Sequence, residues 1–89
     1  MEQKINSHRL GMVVGVVAGI LHLGWSVLVG AGVAQPIMDF VLGLHFLGPV
    51  HSVGEFNVGT AVVLILMASV VGYVVGWVIG AVWNRVYKA

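Results

Sequence analysis

GMVVGVVAG, residues 11–19, and GYVVGWVIG, residues 72–80, are the two stretches that decide the fold. Each is a double GxxxG inside an apolar run. A spacing of four puts Gly11, Gly15 and Gly19 on one face of a helix, and does the same for Gly72, Gly76 and Gly80. Lipid gives helices no hydrophobic reason to associate, so close backbone approach across small residues must supply the attraction. In an antiparallel hairpin the pairs 11/80, 15/76 and 19/72 fall opposite one another, because each sums to 91.

The two stripes continue beyond the glycines. Ala18, His22 and Ser26 extend the first, and Ala68 and Ser69 extend the second. The same register sets His22 opposite Ser69, which gives a polar ring in hydrocarbon a hydrogen-bond partner. The expected helix-packing residues are therefore the six glycines together with His22 and Ser69.

Composition agrees with a membrane setting. The chain has 89 residues, 60% of them hydrophobic, with four Lys and Arg and three Asp and Glu. A soluble domain is about 45–50% apolar and about 25% charged, and a chain this small has no core able to hide the excess. Residues 10–38 and 56–84 carry no Asp, Glu, Lys or Arg. Both runs exceed the roughly 20 residues that cross a bilayer. The expected fold is a single all-α membrane domain over residues 1–89. It is a two-helix transmembrane hairpin with helices at about 10–34 and about 58–83. The first run is also longer than the core of a signal peptide, about 7–15 residues.

The connection, about 35–57, is too apolar for a simple solvated loop. Pro36 suits the first turn of a helix. Ile37, Phe40, Val41, Leu44 and Leu47 follow at helical spacing, which predicts a short amphipathic helix over about 36–47 on the outer membrane surface. Gly48-Pro49 would end it. Ser52-x-x-Glu55 has the form of a capping box that starts the second helix near Val53, with Asn57 as a competing N-cap.

Lys4, Arg9, Arg85 and Lys88 all flank the free ends of the hairpin, whereas the connection holds Asp39 and Glu55. The positive-inside rule then places both termini in the cytoplasm and the connection outside. Trp83 and Tyr87 suit an interfacial aromatic belt beside Arg85.

His22 is the one strongly polar side chain near mid-membrane. It has a plain reading, a neutral imidazole bonded to Ser69 or a backbone carbonyl. It also has a sharper one, a haem or metal ligand or a proton-carrying group. A ligand role calls for a second histidine from another subunit, since no other histidine lies in either span. In the connection, Asp39, His45, His51 and Glu55 are the oxygen and imidazole groups that bind divalent metals such as zinc or copper. Their spacing is poor. Asp39 and His45 are six apart and cannot share a helical face, and Gly48-Pro49 separates His45 from His51. Glu55 also reads as a cap and Asp39 as a first-turn acid. His8 reads as an interfacial residue, and Trp25, Tyr73 and Trp77 as packing or lipid-facing aromatics.

Other chemistry is excluded. Cysteine is absent, so there is no disulfide or thiolate site. A net charge of +1 argues against nucleic acid as a partner. No phosphate-binding loop, nucleophile elbow, zinc-protease motif or acid–base pair is present, so an enzyme is not expected.

LHLGW (21–25), DFVLGLHFLGPVHSVGEFN (39–57) and GYVVGWVIGAVWNRV (72–86) together resemble a family of small, uncharacterised bacterial membrane proteins. Its members have two transmembrane helices, and some are labelled holin-like. The resemblance implies two helices, an outer connection of constant length, cytoplasmic ends and a bacterial inner membrane. It implies no activity. The expected function is structural: a hairpin that forms a homo-oligomer or serves as an accessory subunit of a larger membrane complex, with the bilayer as its medium and no cofactor. Two alternatives stay open. One is a haem- or metal-binding membrane protein using His22 or Asp39, His45 and His51. The other is a small, holin-like pore.

Overall fold

The computed structural model describes residues 4–48 and 52–88. They form three helices and no strand: α1 (Ser7–Gly30), α2 (Ala34–Leu44) and α3 (Val58–Val86). α1 and α3 are both long enough and apolar enough to cross a membrane. At 1.5 Å per residue they measure about 36 Å and about 44 Å, against a hydrocarbon core of about 30 Å.

α1 begins earlier than the apolar run suggests. Asn6 is its N-cap, with Oδ1 accepting from the Arg9 N–H at 3.1 Å. Ser7, His8 and Arg9 are therefore helical. α1 ends at Gly30, short of residue 34. The Val33 N–H donates to the Leu28 carbonyl and the Gly32 N–H to that of Val29, with Gly32 at φ +79°. This is a Schellman ending with glycine in the left-handed position. It breaks one continuous apolar run into two helices.

α2 follows at once and has Pro36 in its first turn, where the missing N–H costs nothing. It stops at Leu44, before Gly48-Pro49. The Leu47 N–H donates to the Leu42 carbonyl and the Phe46 N–H to that of Gly43, a second Schellman ending. Here the left-handed residue is Phe46, at φ +65° and 98% exposed.

α3 starts at Val58, capped by Asn57, whose Oδ1 accepts from the Thr60 N–H at 3.0 Å. The Ser52–Glu55 capping box is not formed, because residues 52–57 are not helical. The Asn57 carboxamide meets the first free N–H groups of the helix itself. The loop is tied back instead by Gln35: its Oε1 accepts from the Val53 N–H, and its Nε2 donates to Asp39 Oδ1 at 2.9 Å.

α1 and α3 lie side by side and antiparallel. Ser7 meets Gly80 at one end, and Gly30 meets the Phe56 ring near the other. α2 packs against α1 and not against α3. The whole measures 50 × 33 × 15 Å, one helix layer thick. Among the described residues no large side chain is fully buried, and Ile20, Leu21, Leu66 and Val70 are 60–66% exposed.

A candidate helix-packing seam and a histidine groove

The seam between α1 and α3 is made of backbone. Gly11, Gly15, Gly19, Gly72, Gly76 and Gly80 are all buried. A Cβ on Gly76 would lie 2.7 Å from the Leu10 carbonyl oxygen and 2.8 Å from Gly11 Cα. One on Gly72 would lie 2.9 Å from the Val14 carbonyl oxygen, and one on Gly15 2.8 Å from that of Ser69. These separations leave no room for a methyl group, so glycine is required for contact this close.

The register differs from the expected one by one helical turn. Gly11 meets Gly76, Gly15 meets Gly72, Ser7 meets Gly80 and Gly19 meets Ser69. A ladder with a period of four fits its partner nearly as well after a shift of four, provided the displaced rungs still meet small residues. Ser7 and Ser69 meet that condition.

Polar contacts at the chain termini then choose among the registers. The Ile5 N–H donates to Asn84 Oδ1 at 2.8 Å, and Asn84 Nδ2 donates to the Ile5 carbonyl at 2.8 Å. His8 Nδ1 lies 2.8 Å from the Tyr73 hydroxyl, with the two rings edge to face at 5.7 Å. The Tyr73 ring also covers Gly11.

The shift separates His22 from Ser69. The His22 Nδ1–H donates to the Ala18 carbonyl at 2.8 Å, and the Ser69 hydroxyl donates to that of Ile65 at 2.8 Å. Each polar group is satisfied one turn back on its own helix, a local solution that competes with any cross-helix bond. A carbonyl only accepts, so this bond places the His22 proton on Nδ1. His22 lines an open groove of about 350 Å³ with Val14, Ala18, Leu64, Met67, Ala68 and Val71.

The Asp39, His45 and Glu55 side chains of the connection do not come together. Asp39 is held by Gln35. The His45 Nδ1–H donates to the Val41 carbonyl at 2.7 Å. Glu55 lines a separate small pocket with Trp25, Ser26, Phe56 and Asn57. His51 lies outside the described residues. Among the described residues no three His, Cys, Asp or Glu side chains come together as a metal site.

No protein-family model, curated protein or solved structure matches the chain.

Two seam residues escaped the sequence reading, although the spacing names them. Ser7 is one rung before Gly11, and Asn84 is one rung after Gly80. Continuing the period of four past the last glycine of each ladder finds both.

Proposed function

We propose that this chain is a small integral membrane protein that acts structurally: a transmembrane hairpin joined by an amphipathic outer helix. It assembles as a homo-oligomer or docks as an accessory subunit of a larger membrane complex. The observation that carries this reading is the division of its surface. Both glycine faces are consumed between α1 and α3, while the Val, Ile and Leu side chains on every other face are left exposed. In water so much apolar surface would aggregate; in a bilayer it meets lipid or a neighbouring subunit. The charge pattern supports cytoplasmic termini in a bacterial inner membrane, in line with the family resemblance.

The test is extraction followed by counting. Alkaline carbonate leaves the chain in the membrane pellet, and native mass spectrometry from nanodiscs gives one defined stoichiometry. Release into the supernatant, or a monodisperse monomer without partners, overturns the reading.

One observation favours a second reading, in which His22 ligates haem or a metal. Metal-bound histidines commonly donate their other ring N–H to a backbone carbonyl. The His22 Nδ1–H does so, and Nε2 has no hydrogen-bond partner among the described residues. Natively purified protein without visible absorption or bound metal removes this reading.

A further inference from the structure

We propose that the end of the helix pair carrying Lys4 and Arg85 binds the phosphate of an anionic phospholipid. The proposal rests on the membrane reading above.

The Asn84 clamp creates this site. Asn84 holds both backbone groups of Ile5, so the preceding residue, Lys4, and the following residue, Arg85, flank one hydrogen-bonded pair. Chain geometry keeps their Cα atoms within about 15 Å, a gap two long cationic side chains can close around one phosphate. Ile5 and Asn84, 79 apart in the chain, are thus brought to one place. Lys88 follows three residues after Arg85.

Nothing acidic among the described residues offsets these charges. Asp39 and Glu55 sit at the opposite end of α3, about 44 Å away. Glu2, outside the described residues, is the only acid the sequence places near this end. An anion placed between two such charges is attracted by both.

The neighbouring surface identifies the anion as a lipid headgroup and not free phosphate. Arg85 lies three residues after Val82 and seven after Val78, on the same helix face. Val78, Ile79, Val82, Trp83, Val86 and Tyr87 line an open apolar groove of about 370 Å³. The Trp83 and Tyr87 rings in its lining lie 4.4 Å apart with their planes inclined by 35°, and such aromatics favour the headgroup level. An acyl chain fits the groove while its phosphate meets Arg85 and Lys4.

The experiment uses the full chain in phosphatidylcholine nanodiscs containing a minor fraction of phosphatidylglycerol, with retained lipids counted by native mass spectrometry. Phosphatidylglycerol is expected at least fivefold enriched over its bulk fraction. The K4Q/R85Q variant, which keeps Asn84, falls back to within about twofold of the bulk fraction. Arg9 is two residues from Ser7 and turned away from α3, so R9Q stays within about twofold of the parent. Inorganic phosphate at tens of millimolar leaves the retained lipid in place. Bulk-proportion retention, equal losses in R9Q and K4Q/R85Q, or displacement by inorganic phosphate overturns the proposal. A chain that does not enter nanodiscs overturns the membrane reading itself, a separate outcome.

Discussion

Asn84 on α3 holds Ile5, just ahead of α1, through both backbone groups: the Ile5 N–H donates to Oδ1 and Nδ2 donates to the Ile5 carbonyl, each at 2.8 Å. Together with the His8–Tyr73 contact, this carboxamide fixes which turn of one ladder faces which turn of the other. Neutral hydrogen bonds contribute about 0.5–1.5 kcal/mol each. Asn84→Ala is expected to destabilise the helix pair by about 1–2 kcal/mol, read from unfolding in mixed micelles. Hydrogen exchange at the Ile5 amide should accelerate in the same variant. Unchanged exchange there would show that the clamp is absent in the bilayer.

Glycine in the seam differs from glycine outside it. A Cβ at Gly76 would strike the Leu10 carbonyl, whereas one at Gly24 meets nothing within 4 Å. Gly76→Ala must push the helices apart and is expected to cost about 1–3 kcal/mol. Gly24→Ala should be neutral or mildly stabilising, since alanine is the better helix former. The comparison is made by the same micelle unfolding, and equal effects at both positions would contradict the seam.

The part of this architecture legible in the sequence was the part set by composition and period. Long uncharged runs marked α1 and α3, and the GxxxG spacing marked their glycine faces. The register was not legible, because a ladder of period four looks the same to itself after a shift of four. The choice was made by Asn84, His8 and Tyr73, residues whose roles appear only when the ends meet. The break at residues 31–33 was hidden because Gly32 is one more small residue in an apolar run; only its φ of +79° sets it apart. His22 and Ser69 were paired across the seam by arithmetic, but each found a carbonyl one turn back on its own helix.

The two Schellman endings predict opposite effects. Gly32 occupies the left-handed position without strain, and Gly32→Ala is expected to cost about 1 kcal/mol. Phe46 occupies the equivalent position after α2 at φ +65°, where an L side chain carries about 1–2 kcal/mol of strain. Phe46→Gly should therefore strengthen the bond from the Leu47 N–H to the Leu42 carbonyl. Slower amide exchange at Leu47 is the expected result. Faster exchange would mean that the exposed Phe46 ring holds this corner in place.

The central claim is that the glycine faces close on each other within one chain, in the observed register, and a disulfide tests it most directly. The natural sequence has no cysteine. A Cβ on Gly80 would lie 3.2 Å from Ser7 Cβ, a few tenths of an ångström inside the usual disulfide span of about 3.5–4.5 Å. Ser7→Cys/Gly80→Cys protein, oxidised in membranes, is expected to give a cross-linked monomer, identified by the loss of two hydrogens in its intact mass. Gly11→Cys/Gly80→Cys, matched to the register one turn away, should stay reduced or react slowly. Disulfide-linked dimers alone, or faster closure of the 11/80 pair, would contradict the account.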